Sequence, residues 1–198
     1  NLPGPIPLGI QDRLLDKDGQ VYFPAGTPFN PNPDHPFWGP ECTGDTIAVN
    51  GHTWPYFNVE PKRYRFLLVN GSNARTYEFF LTDAVTKAKG PAIWQIGTDG
   101  GYLDFPVKID PSAPGNQLQK LRMMPGERTD VIVDFVGLAP GTTLFLPNTA
   151  KTPFPAGDTV NGNTLGRIMQ FRVVAGGGAD TSYNPALGGA LRTPMVRL

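Results

Sequence analysis

The side chains best suited to hold a metal or attack a bond are His35, Cys42 and His52, the only two histidines and the only cysteine among 198 residues. Two imidazoles and a thiolate form the donor set of a mononuclear blue copper site, commonly with a weak axial methionine. Spacing argues against that use. All three lie within eighteen residues, across a proline-rich stretch and a turn, and no histidine or methionine follows Cys42 closely. A nucleophilic Cys42 and His35 pair fails similarly, because His35 precedes Pro36 and no third group is placed to orient the imidazole. Both histidines read as solvated or satisfied side chains. Cys42 reads as a small, partly buried apolar residue that cannot form an internal disulfide and says little about redox compartment.

Two further patterns invite chemistry and fail on geometry. Ile96-Gly97-Thr98-Asp99-Gly100-Gly101 follows a strand-like run as a phosphate loop would, but no helix pattern and no phosphate-meeting lysine come after it. A tight turn with Asp99 bonding its own backbone is the simpler reading. Asp130 and Asp134 flank Val131-Ile132-Val133. Four residues along a strand separate same-face side chains by about 13 Å, too far for a glycosidase carboxylate pair.

The elements that would position such groups are short and β-like, with no sustained 3.6-residue period. Thr46–Asn50 meets Asn50-Gly51, the favoured pair of a two-residue hairpin, with His52–Trp54 returning. Arg63–Val69 stops at Asn70-Gly71-Ser72-Asn73, and Thr76–Leu81 resumes, so those two read as a second hairpin. Ile93–Ile96, Val131–Phe135, Thr143–Leu146 and Ile168–Val174 are further strands. Thr82–Lys89 could make a helical turn or two, capped by Thr82 or Asp83. Pro28–Pro40 holds five prolines and reads as surface loop. Residues 1–175 read as one domain, and the glycine-rich tail 176–198 as a linker toward a further domain.

Composition narrows the class. Gly 24 and Pro 22 make up about 23 % of the chain, beside 39 % hydrophobic and 11 % aromatic residues, so a core can form among many turns. Lys+Arg and Asp+Glu are 17 each, leaving no electrostatic footprint for a nucleic acid. No apolar run approaches the roughly 20 residues of a membrane span. The opening Asn1-Leu2-Pro3-Gly4-Pro5 has neither a methionine nor the regions of a signal peptide, which suggests a fragment or processed form.

A string of motifs carries the reading further. Ile10-Gln11-Asp12-Arg13, Tyr22-Phe23-Pro24, Gly44-Asp45-Thr46-Ile47-Ala48-Val49-Asn50-Gly51, Trp54-Pro55-Tyr56, Val59-Glu60-Pro61 and Tyr64-Arg65-Phe66 come first. Asn70-Gly71-Ser72-Asn73-Ala74-Arg75, Gln95-Ile96-Gly97-Thr98-Asp99-Gly100-Gly101, Pro125-Gly126-Glu127-Arg128-Thr129-Asp130-Val131 and Ile168-Met169-Gln170-Phe171-Arg172-Val173 follow in order. Together they resemble the middle domain of bacterial three-domain multicopper oxidases of the spore-coat laccase and bilirubin oxidase type, over nearly the whole chain. The resemblance implies an all-β, cupredoxin-like Greek-key sandwich or barrel with long Pro/Gly-rich loops. It implies that type 1, type 2 and type 3 copper belong to flanking first and third domains, through His-x-His and His-Cys-His motifs absent here, so no cofactor is expected in this chain.

The parent enzyme implied by that resemblance oxidises phenols or aromatic amines by single electrons and reduces dioxygen to water. Its middle domain lends two loops to the substrate pocket, matching Pro40–Thr43 and Asn148–Phe154 here. Glu41, Cys42, Thr43, Ala74, Lys151 and Thr152 are the implied pocket residues; no catalytic or metal residue is expected. Some spore-coat laccases join the two loops by a disulfide, which this chain cannot, having Cys42 in the first loop and Lys151-Thr152-Pro153-Phe154-Pro155 in the second. The partners implied are the flanking domains, and exposed contact faces, including Phe37-Trp38 and Pro153-Phe154-Pro155, would make the isolated chain self-associate. An extracytoplasmic or spore-coat setting fits the parent; the chain itself fixes no compartment. The rivals are a free-standing binding or structural β-sandwich and a mononuclear blue-copper carrier, the latter distinguished by copper content.

Overall fold

A computed structural model describes residues 1–22, 42–115, 118–176 and 178–194. Its longest strand, β1 (Pro5–Leu15), alternates so that Leu8, Ile10 and Asp12 point inward. It pairs with three others along its length: antiparallel with β2 (Val21–Tyr22) and β3 (Thr46–Val49), parallel with β6 (Arg63–Asn70). Between these, β4 (His52–Thr53) returns from β3, and β5 (Tyr56–Val59) joins another sheet. The first sheet runs β10-β9-β12-β6-β1-β3-β4, with β9 (Ile93–Thr98), β10 (Gly101–Ile109) and β12 (Arg128–Asp134) beyond β6. Neighbours so far apart in sequence require crossovers of the Greek-key kind.

The second sheet is β5-β14-β13-β8, made with β8 (Thr82–Asp83), β13 (Thr143–Pro147) and β14 (Arg167–Val173). The sheets share one core, in which Phe66 of β6 meets Phe171 of β14 at 5.3 Å between ring centroids. Phe135 meets Phe171 at 5.4 Å, and Tyr64 meets Phe135 edge-on at 5.7 Å. Offset and edge-to-face aromatic pairs of this kind add about 0.5–1.5 kcal/mol each to their area burial.

The first expected hairpin forms as read. Asn50 and Gly51 have φ of 50° and 81°, and β4 returns with Val49 opposite His52. Asn50 also accepts from Gly9 N at 2.7 Å and donates to Pro7 O at 2.9 Å, pinning the turn to β1. The second does not form. β7 (Tyr77–Phe79) pairs with β11 (Leu121–Met123) instead of β6, because the buried Asn70 amide donates to Arg75 O and Met123 O and turns the chain off the first sheet.

Thr82–Lys89 is not helical. Asp83 caps a turn by accepting from Val85 N and Thr86 N, but Gly90 N donates to Leu81 O and Thr82 bridges Lys89, closing a β-loop. In the tail, Asp180 accepts from Arg63 N at 2.6 Å, Tyr183 N donates to Asn1 O, and a 3-10 turn covers Pro185–Leu187. Leu191 N then donates to Asp104 O of β10. Residues of the expected linker are thus tied to β6, β10 and the N-terminus.

Candidate functional site

The group that organises the two loops of interest is Arg75. It follows the Asn70 turn, and its side chain and that of Asp12 on β1 are 2 % and 1 % exposed. Arg75 Nε donates to Asp12 Oδ2 at 2.8 Å, Nη2 to Gly44 O at 2.8 Å and Nη1 to Thr152 Oγ1 at 2.7 Å. Gly44 N donates back to the same Asp12 Oδ2 at 2.6 Å. Three chain segments therefore meet on one planar guanidinium, whose fixed fork of donors suits carboxylate and carbonyl acceptors. Only glycine fits at 44, since a Cβ there would lie 2.4 Å from Arg13 N.

Around this centre the polar chain continues. Asp12 N donates to Ser72 Oγ, and that hydroxyl lies 2.8 Å from the Tyr77 hydroxyl. Burial pushes the Tyr77 phenol well above its ordinary range, against the opposing hydrogen bond to Ser72, so Tyr77 is neutral at physiological pH. A buried ion pair holds its geometry only when its remaining donors and acceptors are satisfied. Asp12 Oδ2 is satisfied twice; Asp12 Oδ1 is buried without a hydrogen-bond partner among the described residues.

The expected pocket residues gather partly. Cys42 lines a cavity of about 120 Å³ with Asp12, Arg13, Leu14, Val21, Tyr22, Gly44 and Asn73. Cys42, Thr43, Ala74 and Thr152 are half-buried, and Lys151 is exposed. Thr152 is drawn to the first loop through Arg75, and Ala74 is its chain neighbour. The second loop is closed by paired hydrogen bonds between Thr152 and Asp158 at 2.9 Å each. Glu41, His35, Phe37 and Trp38 lie outside the described residues, as do Phe23 and Pro24.

In the sequence Asp12 and Arg75 stand only as members of the Ile10–Arg13 and Asn70–Arg75 motifs, with no role attached to either. Asp99 also differs from expectation: it accepts from Arg128 N and Arg128 Nε rather than from its own turn. Asp130 and Asp134 are held by Arg65 and Arg63 on the neighbouring strand. Among the described residues no three His, Cys, Asp or Glu side chains converge as metal ligands, and His52 is exposed on β4. The described donor set does not fit copper.

No family model matches the chain. It is 40 % identical over 170 residues to a laccase of Bacillus subtilis (strain 168), covering 85 % of this chain and 29 % of that protein. It is 40 % identical over 165 residues to multicopper oxidase LPR1 of Arabidopsis thaliana, covering 83 % of this chain and 25 % of that one. The crystal structure of the 2F4 variant of McoA multicopper oxidase from the hyperthermophile Aquifex aeolicus matches with a TM-score of 0.70 and 29 % identity, over 98 % of this chain and 36 % of that chain. The chain thus spans about a third or less of the length of these curated relatives.

Proposed function

This chain is a homologue of one part of the laccases and multicopper oxidases, a cupredoxin-like domain of that family, and we propose that it serves as the middle domain of a longer copper enzyme. In that role it packs between first and third domains that hold the copper and lends the loops around Cys42 and Thr152 to the substrate pocket. The observation that supports the loop assignment is the Arg75 fork, which fixes Gly44 and Thr152 to one buried centre.

Type 1 copper in the flanking sequence would take single electrons from phenols or aromatic amines, with type 2 and type 3 copper returning four electrons to dioxygen. This domain's residues contribute position. Thr43 and Thr152 bring hydroxyls, and Lys151 brings an exposed ammonium that favours substrates with phenolate character. The test is steady-state oxidation of a phenol by the full-length enzyme with Lys151→Glu. A raised KM with an unchanged visible copper spectrum is expected; an unchanged KM contradicts the pocket assignment.

A further inference from the structure

A groove of about 380 Å³ runs beside β13, lined by Lys87, Phe145, Pro147, Asn148, Thr149, Val160, Asn163 and Arg167 among others. It continues past Phe145 and Arg167 into a smaller hollow bordered by Trp54 and Gln170. Two cations hang over one ring: Lys87 Nζ is 5.2 Å and Arg167 Cζ 5.0 Å from the Phe145 centroid. Neither has a carboxylate in ion-pair contact among the described residues, and no lining residue is acidic. On the same turn, Asp83 spends Oδ1 on Val85 N, Thr86 N and the Thr86 hydroxyl and attracts Lys87 through space without forming an ion pair.

The donors left over point into use. Arg167 donates through Nε to Gly162 O and through Nη2 to Asn163 Oδ1, leaving Nη1 uncommitted. Lys87 Nζ donates to Ala84 O and keeps two further N–H groups. Lys87 sits at φ 62°, a left-handed conformation that a non-glycine residue adopts only at a cost. Trp54 presents a ring 41 % exposed, held by its indole N–H on Thr164 O.

From this geometry we propose that the groove binds a small aromatic carboxylate, its anion drawn by the cations Lys87 and Arg167 and its ring against Phe145 and Trp54. Two unpaired cations select an anion, and the aromatic wall selects a flat apolar body over a hydrated ion. The site stands independently of any copper chemistry.

Titration of the isotope-labelled chain with benzoate, acetate and benzyl alcohol, followed by amide NMR, tests it. Benzoate should shift Lys87, Phe145, Asn163 and Arg167 saturably, with acetate and benzyl alcohol at least about tenfold weaker. Lys87→Asn and Arg167→Gln should each weaken benzoate by about tenfold while Ile47 and Val131 signals stay in place. Should Arg167→Gln fail to fold, Lys87→Asn decides alone, because asparagine tolerates the left-handed turn. Absence of a saturable shift, equal binding of acetate or benzyl alcohol, or undiminished benzoate binding by Lys87→Asn would overturn the proposal.

Discussion

At Arg75 a single side chain does what three separate contacts would otherwise have to do. Its partner Asp12 and its acceptors Gly44 and Thr152 come from three segments, so loss of the guanidinium unties two loops and strands a buried carboxylate. Removing one member of a buried pair costs about 3–5 kcal/mol, far above the 0–1 kcal/mol of a surface pair. Arg75→Met should therefore lower the urea midpoint by the equivalent of about 3–5 kcal/mol, and Asp12→Asn/Arg75→Met should lose less than the two single losses added. A midpoint unchanged by Arg75→Met would show the fork to be incidental. The pair was visible in the sequence only as letters inside motifs, since sixty-three residues separate its members. Within β1 the strand's alternation turns Asp12 inward, and only the fold reveals what an inward aspartate meets.

Among elements, the short pair β7 and β11 depends on Glu78 more than on its own length. Glu78 faces Arg122 across the ladder and takes hydrogen bonds from Arg122 and Lys120, while its backbone ties Asn148 and Thr149. Burial works against its ionisation, but the hydrogen bonds and charges of Arg122 and Lys120 outweigh it and hold the carboxyl below its ordinary 4.5. A carboxylate depressed on folding contributes stability that is complete above its unfolded pKa and is lost as pH falls through the folded one. The urea midpoint should thus decline below about pH 4.5, and less steeply in Glu78→Gln. Parallel slopes in the two proteins would contradict the assignment. Apolar and aromatic runs made β3, β6, β7, β9, β12, β13 and β14 legible, and turn chemistry the Asn50-Gly51 hairpin, but the two longest strands, β1 and β10, were hidden by the prolines and charges that interrupt their apolar pattern. The partner of β7 was not legible, because Asn70 sends the chain between sheets by long-range hydrogen bonds. Nor was the docking of the tail, where the Asp180 carboxylate accepts from Arg63 N and Tyr183 and Leu191 donate through their backbone N–H groups, contacts that a glycine-rich composition hides.

Across the whole molecule, some apolar side chains of the first sheet stand open to solvent. Leu67, Tyr102 and Phe105 are 38 %, 39 % and 51 % exposed on β6 and β10, beside a groove of about 400 Å³ that also takes in Pro7 and Val69. Apolar faces left uncovered favour association. Sedimentation over a concentration series should show the isolated chain self-associating, reversed by adding the flanking domains; a strict monomer indifferent to them would argue for a free-standing sandwich. The most direct test is copper content after loading and dialysis, measured on this chain alone and on a longer protein that carries first and third domains with it. The account predicts no tightly held copper and no thiolate-to-copper colour for the chain, and bound copper with that colour for the longer protein. About one copper held tightly per isolated chain, with a blue absorption, would contradict it.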